Sequence, residues 1–529
     1  MGKARGAILL VTSVVSTMLF YGRALAFDLQ CDDLLMIRPW SRAELLAVWH
    51  GTWEPTHAFA TFFRPIATWF YAGAFELFGL NAGPHMWLSL AMLATIAWLL
   101  SIVVAREMNA TSAGVLAGLI YLIHPNVPWS TGTWVTNDFH KLTAISALCA
   151  LLLWQRVRSR GSSHWLLIAP LIVFCFLVKE DGLMLLPALV SIQWLRARMV
   201  GDVKAPTWAF VAGAAVFGAA LILWRYLALR ELGGFGIPPV TAMFQNLARG
   251  PLYAFTFHGS LSVLTGAEKA IAALVAAAIV AGVALRPREK RFLPLAGLAL
   301  IFWYDLPLSL ISNVMRYYML TIAAVMVIVP VYSTLASQWR PQRWMLIVAI
   351  PALLLIVSAS ARQKPELMRF APCQQLEHRC VPWVLDEVKS LPPEARAYVA
   401  STQSSCVSPA GLRPRIGEGG TLTWGLGATS IDTMTGERSN AVAGDIVSLV
   451  RPPEETRGTT IAVRHPEASD SSPVRVNITS DSQHVTRDLT SPEWTSIDVR
   501  FDSGWRVKLR GAHRIDVTFS AAGAFWRQP

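Results

Sequence analysis

The sequence predicts a polytopic α-helical membrane protein with a β-sandwich-like domain after its last membrane span. Of the 529 residues, 53% are hydrophobic and only 15% are charged, and the mean hydropathy is +0.43. A soluble domain carries about 25% charged residues. Long apolar runs fill the first 360 residues, and short alternating stretches follow near the C-terminus. This composition excludes an ordinary soluble enzyme and a disordered chain.

The apolar runs predict about eleven membrane spans, because a run of roughly 17–25 apolar residues crosses a bilayer and shorter ones do so inside a bundle. The first run, with Lys3 and Arg5 before it, also resembles a cleavable secretory signal. Residues 251–267 are a candidate twelfth span or an interfacial helix. The predicted spans lie near residues 7–22, 86–105, 112–128, 139–154, 164–178, 182–195, 207–224, 270–285, 292–310, 317–337 and 344–360.

Basic residues in short loops predict the orientation of these spans. The first 360 residues hold 26 basic and 15 acidic side chains, and the last 169 hold 20 and 19. The excess therefore adjoins the apolar runs, as the positive-inside rule expects, so we predict no nucleic-acid partner. The predicted cytoplasmic loops contain Arg106; Arg156, Arg158 and Arg160; Arg196, Arg198 and Lys204; Arg286, Arg288, Lys290 and Arg291; and Arg340 and Arg343. The long first loop, residues 23–85, then lies outside a cell inner (plasma) membrane.

Three parts follow from this pattern: a membrane domain over 1–360, a connector over 361–394 and an extracytoplasmic β-rich domain over 395–529. Alternating runs at 474–480, 495–501, 505–511 and 513–520 predict its short strands. A disulfide between Cys373 and Cys380 is plausible in that compartment, whereas Cys149 and Cys175 lie in spans and are expected to be packing residues. No cysteine pair has CxxC spacing, so we expect no structural zinc site.

Ionisable side chains on the predicted outer face mark the candidate site. Asp32 and Asp33 follow the first span by about ten residues, where a carboxylate can deprotonate a hydroxyl or hold a metal that does so. Lys179 and Arg316 are suited to binding a phosphate; the alternative for each is pairing with a neighbouring carboxylate or snorkelling. The second outer loop brings further polar residues to this face, namely His124, Asp138 and His140.

The order of short motifs over residues 20–335 resembles the polyprenyl-phosphate-sugar-dependent glycosyltransferases of the GT-C superfamily. The nearest likeness is to the protein O-mannosyltransferase type whose membrane half precedes tetratricopeptide repeats. Ser89 and Asn137 depart from the usual Asn and Arg, and the tail lacks a 34-residue helical period. The motifs are Asp32-Asp33, Arg64-Pro65, His124-Pro125, Asp138, Lys179-Glu180 and Arg316-Tyr317.

The resemblance implies a GT-C-like bundle with an outward-facing active site and a polyprenyl-phosphate-linked sugar donor. Asp32 and Asp33 would be the catalytic pair, and Lys179 and Arg316 would bind the donor phosphate. The carboxylates of Asp32 and Asp33 can also coordinate Mg²⁺ or Mn²⁺. The sequence leaves the need for a metal open. The predicted substrate-binding residues are Arg64, His124, Asp138, His140, Glu180 and Tyr317.

The predicted function is transfer of a sugar to an extracytoplasmic hydroxyl of an envelope glycan, a lipid or a protein. One alternative is a transporter or flippase without chemistry, with Asp305, Arg225 and Arg316 along its path. The sequence has no evident internal repeat of the kind that many transporters show. Another alternative is a polyprenyl-linked glycan polymerase or ligase; those enzymes tend to carry their large outer loop late in the chain, whereas here it comes first.

Overall fold

The computed structural model divides the chain into two compact units, Met1–Phe27 with Pro39–Leu367, and Asp28–Arg38 with Met368–Pro529. Apart from single positions, the structure describes residues 2–26, 33–53, 62–124, 135–158, 165–230, 279–309 and 318–337, residues 468–480 and 484–493, and strands between 396 and 520. Several predictions lie outside these residues: the span 344–360, most of 270–285, the segment 251–267, the connector, and Cys31, Cys373, Cys380 and Cys406.

Twelve described α-helices precede the strands. They are α1 (Lys3–Tyr21), α2 (Asp33–Met36), α3 (Arg42–Ala47), α4 (Pro65–Phe78), α5 (Ala82–Met108), α6 (Thr111–Ile123), α7 (Asp138–Val157), α8 (Trp165–Val178), α9 (Leu185–Met199), α10 (Trp208–Leu229), α11 (Phe292–Ser309) and α12 (Tyr318–Ser337). The helix α2 belongs to the second unit and the others to the first.

Local sequence signals explain where several helices begin and end. The α3 helix starts with a capping box, in which Ser41 and Glu44 each accept the other's backbone N–H. The α4 helix has Pro65 at its first position, where a missing N–H costs nothing. Thr207 caps α10 by accepting the Phe210 N–H at 3.2 Å. Asn109 ends α5 in the left-handed conformation, with φ of 50°.

Nine of the predicted spans coincide with or overlap described helices. Three of these helices are long and apolar enough to cross a membrane, namely Lys3–Leu25 (α1 with its 3-10 extension), α5 and α10, and α6, α8 and Met319–Ser333 are shorter apolar helices. The predicted span 182–195 is not helical in the α conformation from its first residue. It begins within a 3-10 turn, Glu180–Met184, and α9 starts only at Leu185. The predicted first loop contains the helix α4, which the sequence pattern did not anticipate.

The core of the first unit is an apolar bundle around α5. This helix packs against α1, α6 and α7, while α11 packs against α9 and α12. Most of α5 is therefore buried, whereas most of α10 is exposed along its length. Since no water competes inside a bilayer, close packing and not apolar burial alone holds such helices together.

The second unit contains ten described strands in one hydrogen-bonded network. The strands are β1 (Arg396–Ser401), β2 (Thr421–Leu426), β3 (Thr429–Ile431), β4 (Arg438–Ser439), β5 (Ala441–Val450), β6 (Thr459–Arg464), β7 (Val474–Ser480), β8 (His484–Leu489), β9 (Thr495–Val499) and β10 (Arg506–Ser520). Their order is β4-β3-β2-β1-β5-β10-β6-β9, and β7 joins β10 to β8. The strand β1 runs parallel to β2 and β5, and the other pairs are antiparallel.

The strands β7 and β9 lie where the alternation of the sequence predicts them. In β7 the side chains of Val476 and Ile478 are buried while Arg475 is exposed, as a strand with one covered face requires. The predicted strands 505–511 and 513–520 are wrong as separate elements, because they form the single strand β10. A register shift between Arg510 and Ile515 interrupts its pairing with β5 and accounts for the apparent break. The two-layer packing of a β-sandwich stays a prediction.

Candidate functional site

The predicted site residues fall into three groups. Asp32, Arg316 and Tyr317 lie outside the described residues. Asp33 is the first residue of α2 in the second unit, and its side chain is fully buried. The first unit holds the remaining candidates, which are Arg64, His124, Asp138, His140, Lys179 and Glu180.

The carboxylate of Glu180 joins three parts of the first unit. It accepts hydrogen bonds from Arg64 Nε at 3.1 Å and from the Phe63 N–H at 2.7 Å. Arg225 Nε lies 3.7 Å from Glu180 Oε1, the oxygen that also accepts the Phe63 N–H. Glu180 opens the 3-10 turn before α9, Arg64 precedes α4, and Arg225 lies near the end of α10. One carboxylate therefore holds the ends of three elements that are distant in sequence.

An aromatic cage surrounds the guanidinium of Arg64. Its Cζ lies 3.9 Å from the ring centroid of Phe62, 4.6 Å from that of Phe139 and 4.8 Å from that of Trp53. Rings at these distances attract a cation through their quadrupoles. Arg64 is only 7% exposed, so the cage and Glu180 together fix its position.

Lys179 and Asp181 form a second ion pair beside Glu180. The ammonium of Lys179 donates a hydrogen bond to Asp181 Oδ2. Burial lowers the pKa of Lys179, and the charge of Asp181 opposes this effect. The second oxygen, Asp181 Oδ1, is buried and accepts no hydrogen bond from the part of the chain described here.

We call Arg64, Lys179, Glu180, Asp181 and Arg225 the Glu180 group. Within this group, as far as the described residues go, three cationic side chains face two carboxylates. Arg64, Lys179 and Arg225 are each less than 10% exposed. Cationic side chains that are shielded from water attract an anion more strongly than they would at an open surface.

Asp138 stands at the start of α7 in a clamp made with Ser89 and Lys141. Its Oδ1 accepts a hydrogen bond from Ser89 Oγ at 2.7 Å and from Lys141 Nζ at 2.7 Å. The Lys141 ammonium also donates to Ser89 Oγ. Asp138 and Lys141 are both completely buried. Among the described residues, nothing donates to the second oxygen, Asp138 Oδ2.

Lys141 is a buried charged partner of Asp138 that the sequence analysis did not identify. A signal for it existed, because Asp138 and Lys141 are three residues apart at the beginning of an apolar helix and therefore share a face. An ionisable residue at such a position is costly and usually functional. Ser89 gave no comparable signal, since its partner lies 49 residues away.

Phe139 connects the Asp138 clamp with the Glu180 group. Its ring lies against the Arg64 guanidinium and 5.7 Å from the ring of Trp53. Its N–H donates to the hydroxyl of Tyr71 at 3.1 Å, and that hydroxyl donates to the Thr136 carbonyl. The starts of α4 and α7 are thereby held side by side, which brings Arg64 and Asp138 into one region.

The two predicted histidines are buried near the ends of their helices. The backbone N–H of His124 bonds the Tyr121 carbonyl at 3.2 Å, and its own carbonyl accepts the Val127 N–H at 2.9 Å, so its backbone ends α6. The ring of His140 packs on Phe139 with centroids 4.1 Å apart. Their predicted substrate-binding roles stay predictions.

No group of three His, Cys, Asp or Glu side chains able to hold a metal ion occurs in the described part of the chain. Asp32 is not in that part. A metal held by Asp32 and Asp33 therefore stays an open prediction.

A second set of charges lies at the opposite ends of the same helices. Glu107 accepts hydrogen bonds from Arg158 at 2.6 Å and from Arg196, and Arg196 also binds Asp202 at 2.6 and 2.8 Å. These four residues come from three predicted cytoplasmic loops, which therefore lie on one side of the bundle. Along α5, Ser89 and Glu107 are about 27 Å apart at 1.5 Å per residue, close to the thickness of a hydrocarbon core.

No family model matches this chain, and no curated protein is similar to it in sequence. Solved structures do resemble it. ArnT from Cupriavidus metallidurans bound to undecaprenyl phosphate is 12% identical over 80% of this chain and 85% of its own, with a TM-score of 0.42. The arabinofuranosyltransferase AftD from Mycobacteria is 12% identical over 98% and 58%, with a TM-score of 0.43.

The arabinosyltransferase EmbB from Mycobacterium smegmatis is 12% identical over 98% of this chain and 64% of its own, with a TM-score of 0.31. The chain thus spans less than two thirds of AftD and of EmbB. One of the three structures holds undecaprenyl phosphate, and two are named as arabinose transferases. At these identities and TM-scores the likeness assigns neither a family nor an activity to this chain.

Proposed function

We propose that this protein is an integral membrane glycosyltransferase that moves a sugar from a polyprenyl-phosphate donor to a hydroxyl of an extracytoplasmic acceptor. The observation that carries the proposal is the clustering of three shielded cationic side chains, Arg64, Lys179 and Arg225, in the Glu180 group. A lipid phosphate at the end of a membrane helix bundle is the kind of anion that such a group suits.

The reaction is an inverting displacement at the anomeric carbon. Asp33 or Asp32 takes the proton of the acceptor hydroxyl, whose oxygen attacks the anomeric carbon. A new glycosidic C–O bond forms while the bond between that carbon and the phosphate oxygen breaks. The lipid phosphate leaves with the electron pair, and Lys179 and Arg316 stabilise its growing charge. Arg64, His124, Asp138, His140, Glu180 and Tyr317 shape the substrate site.

Substitution of the acidic pair tests this function. We expect Asp32→Asn, Asp33→Asn or the double variant to lower the transfer rate by roughly 10²-fold or more, because the acceptor hydroxyl loses its base. The measurement is radiolabelled sugar transfer from a panel of polyprenyl-phosphate monosaccharides by the purified chain. Glu76→Gln, an exposed substitution in the same predicted loop, is the control. Full activity in both single variants and in the double would end the assignment.

Comparison of envelope glycans from cells with and without the chain identifies the sugar and the acceptor. Mass spectrometry is expected to reveal one monosaccharide missing from a glycan, a lipid or a protein. If the protein is a transporter or flippase, the purified protein forms no glycoside. If it is a glycan polymerase or ligase, its loss changes the length of a glycan chain and does not remove one sugar.

The β-rich domain over 395–529 is proposed to position the acceptor. Its predicted outer location and its strand pattern support this role. We expect a chain that ends before Met368 to bind undecaprenyl phosphate but to transfer sugar to the native acceptor far more slowly. Transfer at the undiminished rate would show that the β-rich domain has a structural role only.

A further inference from the structure

We propose that Lys141 is a positioning residue which, with Ser89, holds one oxygen of Asp138 so that the other oxygen accepts a hydrogen bond from a sugar hydroxyl. The inference rests on the proposed glycosyltransferase function and names residues and a ligand group within the same site. Neither Lys141 nor Ser89 was among the residues that the motifs assign.

The clamp uses only one side of the Asp138 carboxylate. Lys141 Nζ and Ser89 Oγ both lie 2.7 Å from Asp138 Oδ1. The second oxygen, Oδ2, is buried and has no hydrogen-bond donor in the described structure. A buried acceptor without a donor is costly, and in native proteins such a group calls for an explanation. A bound ligand that donates to Oδ2 supplies one.

Charge balance indicates the chemical class of that ligand. The ammonium of Lys141 already neutralises the Asp138 carboxylate inside a fully buried environment. A second cation there, a metal ion or an ammonium, would add an uncompensated buried charge. A neutral hydroxyl donates a hydrogen bond without adding charge, so a sugar hydroxyl suits the chemistry of Asp138 Oδ2.

The location of the clamp agrees with a sugar site next to a phosphate site. Phe139 follows Asp138 and contacts the guanidinium of Arg64 in the Glu180 group. A donor whose phosphate binds near that group therefore has its sugar close to the start of α7. An aromatic ring between the two regions is also a suitable surface for the apolar face of a sugar.

Ser89 and Lys141 act through Asp138, which makes a specific energetic prediction. If Lys141 only orients Asp138, then removing it after Asp138 has already been disabled costs nothing further. A double-mutant cycle measures this coupling. Two residues that contact the sugar independently would instead give losses that multiply.

The experiment is equilibrium binding to the detergent-solubilised full chain. The probes are undecaprenyl phosphate without sugar and a panel of polyprenyl-phosphate monosaccharides. The proteins are the unsubstituted chain, Lys141→Met, Ser89→Ala, Asp138→Asn, and the double variant Asp138→Asn with Lys141→Met. Sugar-free lipid reports that each variant is folded and that its phosphate site is intact.

We expect Lys141→Met and Asp138→Asn each to weaken binding of the preferred sugar-bearing lipid by roughly 10- to 100-fold, the range for a hydrogen bond to a charged group. The double variant is expected to lose no more than Asp138→Asn alone, and Ser89→Ala to lose less. Binding of undecaprenyl phosphate is expected to be unchanged. If Lys141→Met does not bind even undecaprenyl phosphate, this variant has not folded. Binding of the sugar-bearing lipids by Ser89→Ala and Asp138→Asn then tests the clamp.

Two other outcomes separate the inference from the function on which it rests. If sugar-bearing lipids bind the unsubstituted chain and the clamp variants equally well, or if the losses multiply in the double variant, the role of Lys141 is overturned while the glycosyltransferase proposal stands. If neither kind of lipid binds the unsubstituted chain, the proposed function itself fails.

Discussion

At the scale of the residue, the ammonium of Lys179 already has an anionic partner. It donates a hydrogen bond to Asp181, two residues further along the chain. A donor phosphate that binds Lys179 must therefore share this cation with a carboxylate or displace it. On the proposed function, Asp181 therefore competes with the donor phosphate for Lys179, and the strength of donor binding is expected to depend on this carboxylate.

Asp181→Asn removes this competitor. We expect the KM for the lipid donor to fall a few-fold to about tenfold near neutral pH, because the phosphate no longer exchanges with a charged carboxylate. The measurement is the initial rate of transfer against donor concentration, with Glu76→Gln as a matched exposed control. An unchanged or higher KM would contradict the competition.

The same substitution has a defined pH dependence. Burial lowers the pKa of Lys179 and Asp181 raises it, so loss of the carboxylate lowers this pKa further. An ammonium with a lower pKa loses its proton at a lower pH. The alkaline limb of donor binding is therefore expected to move toward neutral pH in Asp181→Asn.

At the scale of the element, small residues set the approach of α5 and α6. A Cβ added at Gly114 would lie 2.6 Å from the backbone oxygen of Ser101 and 2.8 Å from the Cβ of Ala105. Neither atom is the end of a flexible side chain, so the two helices would have to separate. Close contact through small residues is a principal source of helix association in membranes.

Gly114→Ala is therefore expected to destabilise the bundle by about 1–3 kcal/mol through overpacking. Gly73→Ala in α4 is the control, because a Cβ there meets nothing within 4 Å and alanine favours a helix over glycine. Thermal unfolding of both variants in the same detergent measures the difference. Equal midpoints for the two would show that α5 and α6 tolerate separation.

At the scale of the whole molecule, two charged groups hold opposite ends of the helix bundle. At the predicted cytoplasmic end, Glu107 at the C-terminus of α5 pairs with Arg158 after α7 and Arg196 near the end of α9. The Glu107 side chain is only 6% exposed, whereas that of Asp202 is 41% exposed. The bundle thus depends more on Glu107 than on Asp202.

Glu107→Gln leaves Arg158 and Arg196 with Asp202 as their one carboxylate in the described group. We expect it to lower the free energy of unfolding by about 3–5 kcal/mol, as when one partner of a buried pair is removed. Asp202→Asn is expected to cost about 1 kcal/mol or less, because its exposed charge is screened by solvent. Thermal or denaturant unfolding compares the two, and an equal loss would contradict this ranking.

The contribution of Asp202 is also expected to vanish in acid. The hydrogen bonds from Arg196 lower the pKa of this carboxyl. Its stabilising effect is therefore complete above the unfolded value of about 3.9 and is lost as pH falls through the lower folded value. The unfolding midpoints of Asp202→Asn and of the unsubstituted chain are expected to converge at low pH.

The sequence by itself determined the features that depend on one element at a time. Apolar length located helices such as α5 and α10, alternation located β7 to the residue, and basic loops identified chain segments that meet at one end of the bundle. The same local patterns identified Asp138, Lys179 and Glu180 as unusual charges beside apolar runs. Periodicity carries this information because each element repeats its own geometry.

Only the tertiary structure decided which partners these charges have. Ser89 reaches Asp138 across 49 residues, Arg64 reaches Glu180 across 116, and Arg196 reaches Glu107 across 89. No period along the chain connects such pairs, since they form where helices pack side by side. The clamp around Asp138 is complete for the same reason, because Ser89 contacts Asp138 only where α5 packs against α7.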